Sequence, residues 1–255
     1  MSDLSAFSLA GKRILVTGAN TGIGQGIAVS VARAGGAVIG VGRSAMDETS
    51  QKVAAKGGRF EAVAADLGDP GAAAAMLDRV WDESGPLDGL VNNAGIIRRA
   101  DAIDLTEADW DEVMDINLKT VFRLCQSFAR RVLADPGRRG KIVNIASVLS
   151  FQGGIRVASY TASKHGALGL TRLLACEWAP KGINVNGIAP GYIETNNTET
   201  LRADPDRSAA ILGRIPAARW GQPGDIGDAA VFLLAPASDY MHGAVMPVDG
   251  GWLAR

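Results

Sequence analysis

Tyr160 and Lys164 stand four residues apart in the run YTASK. On a helix that spacing puts both side chains on one face. A free phenol titrates at about pH 10, too high for a base at neutral pH, but a nearby ammonium favours the phenolate and loosens the proton. The pair therefore suits proton transfer to or from a substrate oxygen. Ser147 closes the apolar run KIVNIAS, where its hydroxyl can orient such an oxygen toward Tyr160. Asn117 falls inside a long helical stretch, where an amide is a poor helix former. It reads either as the anchor of a water path from Lys164 or as a satisfied buried amide.

A second group of residues suits a phosphate. The apolar run RILVT leads directly into Thr17-Gly18-Ala19-Asn20-Thr21-Gly22-Ile23-Gly24, and helical spacing follows. Glycines let backbone N–H groups approach a pyrophosphate, and the helix N-terminus adds a favourable dipole. The position after the first strand of a βαβ unit is the context that gives such a turn meaning. A carboxylate for the ribose hydroxyls is expected about 20 residues further on. Arg43 stands near that place, and Asp47 and Glu48 come late. Arg43 either holds a 2′-phosphate, which favours NADP, or points to solvent or stacks on adenine. Asp66-Leu67 is the candidate for the adenine edge, and Asp69 before Pro70 reads as a helix N-cap. Asn92-Asn93-Ala94-Gly95 closes another apolar run with small residues that suit close approach to a cofactor.

These groups need a frame. Short β-branched runs at 13–17, 37–41, 60–64, 87–91, 141–145, 183–188 and 245–248 read as strands. Helical patterns at 23–34, 71–84, 109–133 and 160–178 separate them. The alternation predicts βαβ units and a parallel sheet covered on both faces, and the runs ILV, AVI and KIVNI are apolar enough for it. We expect one domain over residues 1–255. The polar stretch 190–222 interrupts the alternation and reads as a small helical lid, about 191–222, over the site.

Composition narrows the function classes. The chain has 255 residues, 47% of them hydrophobic, and a net charge of -1 from 26 basic and 27 acidic residues. That balance gives no general attraction to nucleic acid or anionic membranes. Cys125 and Cys176 show no CxxC spacing, so neither a metal site nor a disulfide framework is expected, and a cytoplasmic setting fits. The start MSDLSAFSLAGKR lacks the pattern of a signal peptide, and no run approaches the length of a membrane span.

Taken together, TGANTGIG, Asp66-Leu67, NNAG at 92–95, Asn117, Ser147, YTASK and Pro190-Gly191 resemble the short-chain dehydrogenase/reductase family, in order over nearly the whole chain. The resemblance implies a single-domain Rossmann-type α/β fold with a seven-stranded parallel sheet, helices on both faces and a homotetramer. It implies NAD or NADP, hydride transfer at a carbonyl/alcohol pair, and Tyr160 as acid/base. Lys164 would lower the Tyr160 pKa and hold the nicotinamide ribose, Ser147 would orient the carbonyl, and Asn117 would anchor the relay water. The implied cofactor set is Gly18, Asn20, Thr21, Gly22, Ile23, Gly24, Arg43, Asp66, Leu67, Asn93, Ala94, Gly95, Tyr160, Lys164, Pro190, Gly191, Ile193 and Thr195.

Finer features, among them Ile97-Arg98-Arg99, SFQGGIRV at 150–157, GYIETNNT and DGGWLAR, are similar to bacterial dehydrogenases of deoxy-keto sugar acids such as 2-dehydro-3-deoxy-D-gluconate or 2-deoxy-D-gluconate. That subgroup generally uses NAD, whereas Gly42-Arg43 leans to NADP. A sugar acid needs a cation for its carboxylate and several polar groups for its hydroxyls. Arg98 or Arg156 is the expected carboxylate ligand, and Gln152, Asn196 and Asn197 should border the cleft. The competing readings are a gluconate 5-dehydrogenase, a 3-oxoacyl thioester reductase and a cofactor-binding regulator without turnover. The intact Tyr160, Lys164 and Ser147 speak against the last.

Overall fold

The computed structural model describes residues 4–255. Met1–Asp3, part of the segment in which no signal peptide is expected, lie outside the described residues. Seven strands, β1 (Arg13–Thr17), β2 (Ala37–Gly42), β3 (Phe60–Ala64), β4 (Gly89–Asn92), β5 (Gly140–Ile145), β6 (Ile183–Pro190) and β7 (Val245–Val248), form one sheet. Its order is β3-β2-β1-β4-β5-β6-β7 and every pairing is parallel. Alternate residues of each strand point to opposite faces. Leu15, Ile39, Leu90, Ile142 and Val185 therefore enter one core, and Ile14, Val16, Val38, Val91 and Val143 enter the other.

Helices α1 (Gly22–Arg33), α2 (Asp47–Ala54), α3 (Pro70–Ser84), α4 (Glu107–Met114), α5 (Thr120–Leu133), α6 (Ala158–Trp178), α7 (Asn196–Ala203), α8 (Pro205–Leu212) and α9 (Pro223–Leu234) cover the sheet and its carboxyl edge. The first core takes its helical side chains from α3, α5 and α6, and the second from α1, α2 and α9. The connection order reverses between β1 and β4, which opens a crevice at their carboxyl ends.

The crevice is positioned by close helix contact. Gly26 of α1 lies so near Pro223 at the start of α9 that a Cβ there would sit 2.6 Å from the proline carbonyl. Ser30 donates to the Asp228 carboxylate at 2.9 Å in the same seam. This contact sets the angle at which α1 leaves the glycine turn.

Three sequence expectations change. The helix expected over 109–133 begins at Glu107 under a Thr106 cap and is interrupted at Asp115–Lys119 by a π-helical turn. Residues 47–54, read only as late acidic residues, form α2. The strand expected from Leu87 starts at Gly89, because Asp88 serves β1 instead: its carboxylate accepts from the Arg13 N–H at 3.0 Å. Asp69 caps α3 as expected, accepting from Gly71 and Ala72. The stretch 190–222 contains α7 and α8. Ile211 and Ile215 there form a third apolar cluster with Val148, Trp220 and Trp252.

Replacing Gly26 by alanine should destabilise the fold by about 1–3 kcal/mol through overpacking of α1 on α9. Gly224→Ala, where the added methyl meets nothing within 4 Å, is the control. Urea unfolding of the two variants reads the difference, and equal midpoints would remove the seam from this role.

Candidate active site

A cleft of 460 Å³ opens at the carboxyl edge of the sheet. Its floor begins with the turn after β1. Gly22 adopts φ +54 and Gly18 φ +66, the left-handed region that favours glycine. A Cβ on Gly18 would meet the Asn93 amide at 2.9 Å, and one on Gly24 would meet the Gly18 carbonyl at 2.1 Å. Gly24 therefore packs the helix against the turn and does not line the cleft.

Thr21 precedes α1 without a side-chain cap, and the first turn carries no acidic residue. The unpaired N–H groups of that turn face the cleft uncompensated, as an anion site requires. The cradle thus fits a dinucleotide pyrophosphate. Arg43 and Ser44 follow β2 at the cleft wall. Ser44 accepts from the Asn20 amide at 2.8 Å. Arg43 is exposed and has no ion pair among the described residues, so its charge is available at the place a ribose phosphate would occupy. Asp66 and Leu67 line the same end, and the Asp66 carboxylate accepts from Gly68 N at 2.9 Å.

The NNAG segment supports the turn rather than presenting side chains. The Thr17 hydroxyl accepts from the N–H groups of Asn93 and Ala94 at 2.9 and 3.0 Å, and the Asn93 amide donates to the Thr17 carbonyl at 2.9 Å. The ends of β1 and β4 are laced together, and Ala94 and Gly95 form the wall. Pro190, Gly191, Ile193, Thr195 and Asn196 close the opposite side, where Thr195 packs over Gly22.

Ser147, Tyr160 and Lys164 meet at the inner end. Tyr160 lies in the first turn of α6 and Lys164 one turn on. The Lys164 ammonium is buried and donates to the Ile145 carbonyl at 2.6 Å, 5.6 Å from the centre of the Tyr160 ring. Burial pushes it down to about 8. Burial also pushes the Tyr160 phenol upward, while its hydrogen bond with Ser147 and the charge of Arg99 pull it back. This differs from the sequence expectation. Lys164 sits beneath the ring, on a strand-end carbonyl, and the groups that pull the phenol back are Ser147 and Arg99.

Asn117 occupies the π turn and does not line the cleft. Its amide pairs with both backbone groups of Ile96, accepting from the N–H and donating to the carbonyl, each at 2.9 Å. It also donates to Ser163 at 3.3 Å, and Ser163 donates to the Tyr160 carbonyl at 2.8 Å. This arrangement anchors the wall loop to the turn of helix that carries Tyr160.

The expected substrate cations are placed differently. Arg98 turns away from the cleft to α4, where it pairs with Glu112 at 2.7 Å and Asp109 at 3.4 Å. Arg156 pairs with Asp101 at 3.2 Å on the rim. Neither they nor Gln152 line the cleft. Arg99 is the guanidinium whose field reaches Tyr160, and it donates to the Asn197 carbonyl of α7 at 3.4 Å. The acidic pair three residues apart after the Thr106 cap was the available signal that Arg98 would be consumed.

Among the described residues no helix is long and apolar enough to cross a membrane, and no group of His, Cys, Asp and Glu could hold a metal ion.

The chain is similar to known proteins over nearly its whole length. The family described as enoyl-(acyl carrier protein) reductase matches residues 18–253. A 2-dehydro-3-deoxy-D-gluconate 5-dehydrogenase from Dickeya dadantii (strain 3937) is 56% identical, covering 99% of each chain. A structure from Agrobacterium tumefaciens, assigned as a 2-deoxy-D-gluconate 3-dehydrogenase with bound NADP, is 62% identical. It superposes with a TM-score of 0.94 over 98% of this chain and 99% of that one. A structure from Beutenbergia cavernae, assigned as an NAD(P)-dependent gluconate 5-dehydrogenase with NADP at low occupancy, is 50% identical. Its TM-score is 0.94 over 98% and 100% of the two chains.

The buried amine gives a pH test. The folded pKa of Lys164, about 8, lies below its ordinary value of 10.5. Between them the unfolded chain holds more protons, so this group makes stability rise with pH there. The unfolding free energy of the wild type should gain up to about 3 kcal/mol on that of Lys164→Met as pH climbs from 8 toward 10.5. Parallel pH curves for the two proteins would show that the amine is not charged and buried.

Proposed function

Since the chain belongs to the short-chain dehydrogenase/reductase family, we propose that it transfers a hydride between NADP and a deoxy-keto sugar acid such as 2-dehydro-3-deoxy-D-gluconate. It is an NAD(P)-dependent oxidoreductase acting on CH–OH groups. The observation that carries the reading is the meeting of Ser147, Tyr160 and the buried Lys164 in one cleft with the glycine turn.

When bound, a nicotinamide would supply or take up the hydride. Everything else falls to side chains of this protein. Tyr160 and Ser147 hydrogen-bond the substrate oxygen, and Tyr160 delivers its proton as negative charge develops on that oxygen. In the reverse direction the same oxygen of Tyr160 receives the proton. Lys164, fixed on Ile145, would hold a ribose hydroxyl of the cofactor. Asn117 holds the wall loop and the first turn of α6 in register. Arg43, exposed and without an ion pair among the described residues, would hold a ribose 2′-phosphate, which favours NADP.

The acidic substrate is supported by Arg99, whose charge reaches Tyr160, and by Asn196 and Asn197 at the rim. That polar wall suits a polyhydroxy acid better than an acyl thioester. The segment 191–222, with α7 and α8, acts as the lid. A homotetramer is supported by an apolar groove between the two long helical stretches, lined by Leu118, Phe122 and Leu170. A cytoplasmic setting fits two free cysteines, Cys125 buried and Cys176 exposed.

The direct test follows nicotinamide absorbance with 2-dehydro-3-deoxy-D-gluconate, D-gluconate and a 3-oxoacyl thioester, each with both cofactors. We expect turnover of the deoxy-keto acid, lost about 10²–10⁴-fold in Tyr160→Phe. Turnover of gluconate alone or of the thioester alone would replace this substrate. Arg43→Asp should move preference toward NADH, and an unchanged cofactor ratio would mean Arg43 does not read the 2′ position. Sedimentation at micromolar concentration should show a tetramer, and a monomer would reject that assignment.

A further inference from the structure

Arg43 stands in the short link 43–46 between the end of β2 and the start of α2. Such a link holds a guanidinium in one place only if both of its ends are fixed. The β2 end is fixed to the glycine turn, because the Gly18 N–H donates to the Val41 carbonyl at 2.7 Å. Within the link, the Ser44 hydroxyl accepts from the Asn20 amide at 2.8 Å and Met46 is buried in the second core.

The α2 end is fixed by Thr49, which has no exposed surface. Its hydroxyl donates to the Ala19 carbonyl at 2.8 Å and accepts from the Gln25 amide of α1 at 3.0 Å. The same Gln25 nitrogen reaches the Asn20 carbonyl at 3.4 Å, and the Gln25 oxygen accepts from the Lys52 ammonium of α2 at 2.6 Å. One hydroxyl and one amide thus clip α2 to the turn and to α1. Packing alone would need only the shape of valine at position 49. The hydroxyl uses both its donor and its acceptor capacity. The turn itself is held independently of Thr49. Thr17 and Asn93 lace it to β4, and Gly24 packs against the Gly18 carbonyl. Without the clip, α2 and the link 43–46 are free to shift while the pyrophosphate cradle stays.

We propose that Thr49, with Gln25, is a positioning residue for cofactor selectivity: the clip holds Arg43 and Ser44 at the distance from the glycine turn that a ribose 2′-phosphate requires. It thereby sets the preference for NADPH over NADH, and it does so only where Arg43 is the 2′-phosphate ligand, as proposed above. Arg43 and Ser44 line the cleft, whereas Thr49 and Gln25 do not, so the clip acts through the link. Ser44 accepts from Asn20, and its own O–H has no acceptor among the described residues. It is free to donate to a phosphate oxygen beside the Arg43 guanidinium. Charge-assisted bonds of this kind depend on geometry, and a cofactor without the 2′-phosphate makes none of them.

The test is fluorescence titration of NADPH and of NADH into the wild type, Thr49→Val, Thr49→Ser and Gln25→Leu. Gln25 is half-buried, so its leucine variant cuts the same clip without opening the core and decides alone should Thr49→Val fail to fold. We expect the Kd for NADPH to rise about tenfold in the valine and leucine variants, the scale of one charge-assisted hydrogen bond. The Kd for NADH should rise less than about threefold, and Thr49→Ser, which keeps the hydroxyl, should retain the wild-type ratio of the two. Equal weakening of both cofactors, an unchanged ratio in a folded valine or leucine variant, or a ratio lost in the serine variant overturns the clip. A wild type that binds NADH more tightly than NADPH overturns the NADP reading instead. The ratios of the variants to that wild type then still decide the clip by the same criteria.

Discussion

The hydrogen bond from Lys164 Nζ to the Ile145 carbonyl, 2.6 Å long, joins α6 to the last residue of β5. An ammonium at this depth has lost most of its water, and its proton is correspondingly easier to remove. Desolvation of this size survives only where the surroundings fix the partner. Here they do: Ser150 donates to the Lys164 carbonyl at 2.7 Å, so the same residue is held at side chain and backbone. With that turn of α6 pinned to the sheet edge, Tyr160 one turn earlier can only face Ser147. The rest of the cleft is arranged around that fixed phenol.

A second constraint follows from how the edge is built. Residues that carry the recognisable motifs spend most of their hydrogen bonds on one another. Thr17 and Asn93 lace β1 to β4, Asn117 grips Ile96, and Asn144 receives from Asn92 at 2.8 Å and donates to Thr171 of α6 at 3.0 Å. A network of this kind is worth its buried polar atoms only when nearly all are satisfied. What it delivers to the ligand is a rigid wall of backbone and small side chains. The polar motif residues thus act mainly by holding still the few atoms that do chemistry.

This explains which parts were legible in the sequence. The seven strands were, because a sheet buried on both faces needs the continuous runs seen at RILVT and KIVNI, and no other element accommodates them between helices of this length. The glycine turn was legible because steric exclusion at Gly18 and Gly24 is a property of local backbone. The π turn at Asp115–Lys119 was not: its widened backbone is stabilised by the bonds of Asn117 to a loop 21 residues earlier, and no local preference announces it. The seat of the Lys164 amine was not legible for a related reason. Helical spacing correctly put Lys164 on the same face, but spacing does not say whether the amine lies beside the hydroxyl or beneath the ring.

The arginines show the same limit. Arg98 and Arg99 are chemically identical neighbours, yet one is neutralised by Asp109 and Glu112 and the other makes no ion pair among the described residues. The difference is set by where α4 begins, since the Thr106 cap places both carboxylates on the face that Arg98 meets. A net charge of -1 then says little about what the cleft attracts. Screening confines each charge to about 8 Å at physiological salt, so an anion at the inner end responds to the local groups and not to the chain total. The rim acids, by binding Arg98 and Arg156, cancel charge where it would merely face solvent. The cations that line the cleft itself are Arg43 at its outer end and Lys164 at its inner end.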